Sequence, residues 1–406
     1  MISPDLIQKM KEAGLHNGRR GTLVCAALFV IGAAAFLIGV LSSRPERAWQ
    51  AYHVNFMFWI GLCFGGVLFS ALQSMSDGWR NRPMKRLGES FGVFLPVACI
   101  LFGILYLGRA HVFPWFHHAP PRIAGWLNIP FLFLRDGAAL ILLTVLGLAI
   151  VRCSVRIDRR GEGDEERQAI QRAMGRQKVL SVIYGIGYAF LLSLLAFDLL
   201  MSLEPHFHST LFGAWYFMGS FYTAISAVIL LTVYGIRKMG MEPFVKPLHL
   251  LTVGRLLMGF CLITGDFFFT QIMIIWYANL PEETKYMLFR LREQPWSFFG
   301  WVVLFCCYVI PFGILLSRKV KMKPLRMACL SILILVGFWI ERWMLVAPAL
   351  WKGKTLPLGI TEILVTAGFA GLVLLCIRWF LSRYPVLPLR DPMFLEGIAK
   401  LKEGSH

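Results

Sequence analysis

Ten apolar runs, each long enough to cross a bilayer, leave this chain few ways to fold. About 20 apolar residues are needed to cross a hydrocarbon core of about 30 Å. The runs cover residues 21–43, 52–75, 88–110, 130–152, 179–202, 211–236, 249–277, 296–318, 325–347 and 359–383. In lipid every backbone N–H and C=O must find its partner inside the protein, so each run is expected to be a helix. None shows the alternation of a membrane strand. The predicted fold class is an all-α polytopic membrane protein with ten transmembrane helices. Composition agrees: 57% of the 406 residues are hydrophobic, 16% are charged, and the mean hydropathy is +0.64. Soluble domains carry about 45–50% apolar and about 25% charged residues.

The formal charge of +18 would suggest nucleic acid in a soluble protein. Here the charges fall in short segments between apolar runs, so they read as orientation signals and contacts to anionic lipid, with no nucleic acid. Of 41 Lys and Arg, 29 lie in the terminal segments and the even-numbered loops, and 9 lie in the odd-numbered loops. Arg135, Arg255 and Arg342 lie inside spans. By the positive-inside rule both termini are predicted to be cytoplasmic, in a bacterial inner membrane. The first run is longer than a signal-peptide core of about 7–15 residues and reads as a retained helix.

The expected organisation is a cytoplasmic N-terminus (1–20) and a first helix plus a four-helix bundle (21–202). A second four-helix bundle (211–347) and a last helix with a cytoplasmic tail (348–406) follow. The bundles comprise spans 2–5 and 6–9, with spans 1 and 10 flanking them. Similar aromatic and small residues open spans 2 and 6, from Phe56 to Gly61 and from Ala214 to Gly219. Gly61 and Gly65 suit close helix packing. Pro96 and Pro311 are expected to bend spans 3 and 8. The longest extramembrane stretch, 152–178, reads as a flexible charged hinge followed by a short helix. It is too short for a catalytic domain.

Candidate functional residues are the ionisable groups inside the apolar runs, because a charge in hydrocarbon costs at least about 2.5–3.5 kcal/mol. Arg135, Asp136, Asp198, Asp266, Glu341, Arg342 and Glu362 fall in the outer half or near the outer boundary. Asp198 and Asp266 are the candidate proton carriers. The doublets Arg135-Asp136 and Glu341-Arg342 are the supporting polar network, read either as functional or as a structural ion-pair network. Neighbouring helical residues point about 100° apart, so each doublet is expected to pair across helices. Arg255 and Asp266 are 11 residues apart, which returns to nearly the same face roughly 16 Å along the axis. That face would make a route through span 7, with snorkelling as the plain alternative for Arg255. His53 and Glu204 are candidates for quinone contact or proton exit. Glu204, His206 and His208 also fit an ordinary wet turn at Pro205.

Nine cysteines contain no CxxC and no CxxCH, so an iron–sulfur cluster or attached haem in this chain is not expected. His53, His111 and His249, all near span boundaries, do not suit a bis-histidine haem. No metal site is expected.

Three blocks carry a resemblance: Phe58 to Gly65, Ser202 to Gly213, and Trp276 to Glu283. With the span count, they make the chain similar to the NrfD/PsrC-type membrane subunits of respiratory complexes, and most similar to the ActF type of alternative complex III, a quinol:electron-acceptor oxidoreductase. The resemblance implies two four-helix bundles with flanking helices and no redox centre in the subunit. It implies a quinone or menaquinone as the non-covalent ligand of the assembly. The implied partners are a sister NrfD-like membrane subunit, a periplasmic iron–sulfur or molybdopterin-like subunit, and multi-haem cytochrome c subunits. The function so implied is quinol-side proton handling or translocation and complex assembly. A stand-alone proton-coupled secondary transporter is the alternative from the residues alone.

Overall fold

The computed structural model describes residues 19–76, 78–116, 121, 123–158, 163–351 and 356–403. Lys9, Lys11, Asp77 and the hinge residues 159–162 lie outside these. Ten described helices are long and apolar enough to span a membrane: α1 Arg19–Val40, α2 Pro45–Met75, α3 Arg82–Leu107, α4 Ile129–Asp158, α5 Asp164–Leu203, α6 Leu211–Lys238, α7 Pro247–Ala278, α8 Trp296–Leu316, α9 Pro324–Leu350 and α10 Ile360–Arg383. No strand occurs among the described residues. The expected all-α, ten-span architecture is present, and seven of the ten helices are longer than their apolar runs.

Two rings of four helices share one connectivity. In the first, α2 packs on α3 and α5, and α4 packs on α3 and α5. In the second, α6 packs on α7 and α9, and α8 packs on α7 and α9. The rings meet along α2, α5, α6 and α9. The meeting helices α2 and α6 are the most buried, at 89% and 78% of their apolar windows. Gly65 makes their contact possible: a Cβ there would lie 2.7 Å from the Ala224 methyl. Outside the rings, α1 packs along α10, and both pack on α2. Ten crossings place the connections alternately at two ends. The end with the Lys- and Arg-rich loops is here the basic end, and the other the far end.

The separate short helix expected within 152–178 is corrected. α4 runs to Asp158, and the helix beginning at Asp164 continues without a break to Leu199. Asp164, Glu165 and Glu166 in its first turn complement the helix dipole, so the charged stretch starts the spanning helix.

The prolines leave marks where expected. In α3 a 3₁₀ turn at Phe91–Val93 precedes Pro96. In α8 a π turn at Leu304–Val309 precedes Pro311. Proline has no N–H to give to the carbonyl four residues back. Cys307 is that residue for Pro311, and its carbonyl accepts a hydrogen bond from the Tyr222 hydroxyl at 3.2 Å. Pro348 in α9 likewise frees the Met344 carbonyl, and Arg290 Nε donates to it at 3.2 Å. Arg290 belongs to the far-end helix Pro281–Arg292, which this bond seats on the second ring.

Candidate functional site

Two buried polar clusters occupy the far end, one in each ring. The first joins α4 to α5. Arg135 Nε and Nη2 donate to Asp198 Oδ2 at 2.9 and 2.5 Å. Trp126 Nε1 donates to Asp198 Oδ1 at 2.8 Å, and its ring lies 3.8 Å from the guanidinium carbon. Asp136 is fully buried, its oxygens accept no hydrogen bond, and its nearest base is Arg135 Nε at 3.8 Å. Two carboxylates thus share one guanidinium. The cluster carries one negative charge when both acids are ionised, and one bound proton makes it neutral.

His53 lies at the same end, fully buried on α2. Its Nε2 is 2.6 Å from the carbonyl oxygen of Leu199, the residue after Asp198. A donating Nε2 leaves Nδ1 as the acceptor, and Nδ1 has no partner. A cavity of about 150 Å³ begins at this cluster, lined by Trp126, Asp198, Ser202, Glu204 and His208. Glu204 also pairs with Arg290 Nη2 at 3.7 Å, and the Arg290 guanidinium carbon lies 3.7 Å from the Tyr286 ring centroid. Burial pushes the Tyr286 hydroxyl above its ordinary value, although Arg290 opposes this.

The second cluster departs from expectation. Arg135 pairs across helices, but Glu341 and Arg342 pair with each other, Oε2 to Nη1 at 2.7 Å. Aromatic groups from α6 and α8 enclose them. Tyr308 donates to Glu341 Oε1 at 3.4 Å, and Trp215 Nε1 donates to the Tyr308 hydroxyl at 3.2 Å. The Arg342 guanidinium sits 4.4 Å from the Tyr216 ring. Glu341, Arg290, Tyr286, Trp215 and Gln271 line a cavity of about 70 Å³. One acid matches one base, so this cluster is neutral as it stands.

Asp266 and Arg255 join neither cluster. Both are exposed on the outer surface of α7, so the expected interior route along this face is absent. Glu362 is committed elsewhere: it accepts from Arg47 at 2.9 and 3.0 Å and caps α10 through the Gly359 N–H at 2.7 Å.

A third cluster, at the basic end, was not expected. Arg82, Lys85, Arg86 and Glu89 are buried on the first turns of α3. Arg82 and Lys85 reach Asp391 Oδ2 at 3.0 and 3.2 Å. Arg86 pairs with Glu89 at 2.6 Å and also with Asp158. Ser70 donates to Glu89 at 3.0 Å, and Lys85 donates to Gln177 at 3.3 Å. Burial alone would raise the Asp391 carboxyl, but Lys85 and Arg82 outweigh it and hold it below its ordinary value. The spacing 82, 85, 86, 89 marks one helical face, a signal present in the sequence. Arg290 and the enclosing tyrosines left no comparable signal.

Residues 39–352 match the family model described as "Polysulphide reductase, NrfD". The chain belongs to the NrfD family. Its members are multi-pass integral membrane subunits of quinone-linked oxidoreductases, partnered by iron–sulfur or molybdopterin-type subunits. The NrfD match begins at the end of α1 and stops just after α9. It therefore covers both rings, the two far-end clusters and all three blocks noted in the sequence, and it leaves α10 outside. No curated protein matches the chain. Among the described residues no group of three His, Cys, Asp or Glu is placed to hold a metal ion.

Proposed function

We propose that this chain is the ActF-like, proton-handling membrane subunit of an alternative complex III-type quinol oxidoreductase in a bacterial inner membrane. Its termini are cytoplasmic and its far end is periplasmic. The observation that carries the reading is the unequal count at Arg135, Asp136 and Asp198, two buried acids to one base, beside a cavity that leads to Glu204.

Neither far-end cavity has the volume of a pocket for a whole quinol with its tail, and the larger apolar cavity of about 450 Å³, lined by Phe58, Trp59, Trp339 and Thr366, includes no ionisable side chain. Ligand pockets run to about 300–1,000 Å³, and the cavities beside Asp198 and Glu341 are about 150 and 70 Å³. The larger has room for a few waters. In this reading quinol oxidation belongs to the sister NrfD-like subunit, and its electrons pass to iron–sulfur and multi-haem partners. Oxidation of a quinol releases two electrons and two protons. Here a proton reaching the Asp136–Asp198 pair neutralises its excess charge. The pair stays anchored by Arg135 and Trp126. The proton then leaves through water to Glu204 and the far-end surface. His53 Nδ1 is a second acceptor at the same depth. The neutral Glu341–Arg342 pair has no such excess and holds α9 against α6 and α8.

Transporter sites lie near the bilayer midplane, commonly at broken helices. The clusters here sit towards one end, which favours the respiratory reading over a stand-alone transporter. The test is purification from native membranes followed by turnover. The chain is expected to co-purify with iron–sulfur and c-type haem proteins. Asp198→Asn is expected to leave that assembly intact and to lower proton-coupled turnover about 100-fold, the low end of general acid–base effects. Isolation of the chain alone, or full turnover in the variant, would overturn the proposal.

A further inference from the structure

Asp266 is an exposed carboxylate on the outward face of a membrane-spanning helix. It makes no hydrogen bond or ion pair with any described residue. It lies twelve residues before the end of α7 at Ala278, about three turns from water. Among the described residues, every other exposed carboxylate of a spanning helix lies in its first turn. An ionised group facing hydrocarbon is costly, and membrane proteins normally turn such groups towards protein or water.

The rest of the face has the form of an interface. At 100° per residue, Arg255, Leu262, Phe269, Met273 and Tyr277 share it with Asp266, and all are exposed. Leu262, Phe269, Met273 and Tyr277 are 49%, 62%, 45% and 88% exposed. Gly259 lies on the same stripe, and a Cβ there would meet nothing of this chain within 4 Å. A small residue on an outward face lets another backbone approach closely. The exposed faces of α4 and α5, by contrast, present Leu134, Ile141, Val145, Val182, Ile186 and Phe190 without a mid-depth charge.

Charge complementarity decides what covers this face. Two copies of the chain in one membrane have the same orientation. A twofold axis along the membrane normal would bring Asp266 level with Asp266 and Arg255 level with Arg255, so like charges would meet. Pairing Asp266 with Arg255 across such a dimer would need a vertical offset of roughly 16 Å. We propose that this face of α7 docks a transmembrane helix of a different membrane protein. That helix carries a basic side chain level with Asp266 and an acidic one level with Arg255. The inference rests on the geometry of α7 and not on the proton chemistry of the Asp136–Asp198 pair.

The test is photo-cross-linking in native membranes, with a photoreactive amino acid at Leu262 or Met273 and a control at Ile186 on α5. The expected result is one heteromeric adduct at α7, with mass spectrometry mapping the cross-link to a helix that bears a base at the matching depth. Asp266→Lys is expected to reduce that adduct at least tenfold while the Ile186 signal is unchanged. Reversing the partner's base to an acid is expected to restore it. If the lysine variant fails to fold, Asp266→Asn is read instead, with a several-fold loss expected. Adducts to a second copy, adducts only to lipid, or a heteromeric adduct indifferent to both Asp266 variants would overturn the proposal.

Discussion

The two ends of the first ring bury charge in opposite ways. At the basic end, Arg82, Lys85 and Arg86 face Glu89, Asp158 and Asp391, three bases to three acids, and each acid has a base in reach. At the far end, Arg135 alone faces Asp136 and Asp198. A balanced buried network leaves nothing for a proton to neutralise, so it acts as a joint. This one ties α3 to α4 and to the C-terminal segment through Asp158 and Asp391. An unbalanced network has a place for one proton. Charge count, more than burial, separates the joint from the candidate proton site.

Disrupting the joint is expected to have the largest effect. Arg86→Met would strand Glu89 and Asp158, and removing one partner of a buried pair costs about 3–5 kcal/mol. Chemical unfolding in detergent should show this loss, whereas a loss under about 1 kcal/mol would mean the joint is wet and contributes little. A smaller effect of a different kind is expected at the far end. Asp136→Asn removes the acid that accepts no hydrogen bond, so unfolding stability should stay the same or rise. Turnover of the assembled complex should fall about tenfold, a change of about 1.4 kcal/mol in the barrier. Loss of stability without loss of turnover would make Asp136 a structural residue and erase the contrast.

The smallest expected effect is in the tail. The Asp391 carboxyl is held below its ordinary value, so its contribution is present above the unfolded carboxyl range. That contribution is lost as pH falls through the folded value, below about pH 4. Protection of the helix Pro392–Glu403 against hydrogen exchange, relative to the intrinsic exchange rate at each pH, is expected to fall only in that acid range, and at neutral pH in Asp391→Asn. Protection that is lost on raising the pH from neutral would contradict the sign.

The fold was legible because hydrophobic length decides spanning helices, and ten runs became ten helices. The start of α5 is hard to read in the sequence because Gly-rich charged sequence resembles a loop, although three acids in a row also suit a helix N-terminus. The basic-end joint is hidden in the sequence because Arg82, Lys85 and Arg86 fall between apolar runs and read as loop charges. Arg135 and Asp198 were visible as charges in apolar runs, but their pairing depends on how α4 meets α5. Arg255 and Asp266 were correctly placed on one face of α7. The direction of that face was not readable, since a helix apolar nearly all round carries no periodic signal.

The most direct measurement is an infrared difference spectrum of the assembled complex between its oxidised and reduced states. A protonated carboxyl has a C=O stretch that a carboxylate lacks. A proton on the far-end pair predicts one such band change, lost in Asp136→Asn or Asp198→Asn and retained in Glu341→Gln. A spectrum with no carboxyl change, or with one that survives both aspartate substitutions, would contradict the assignment.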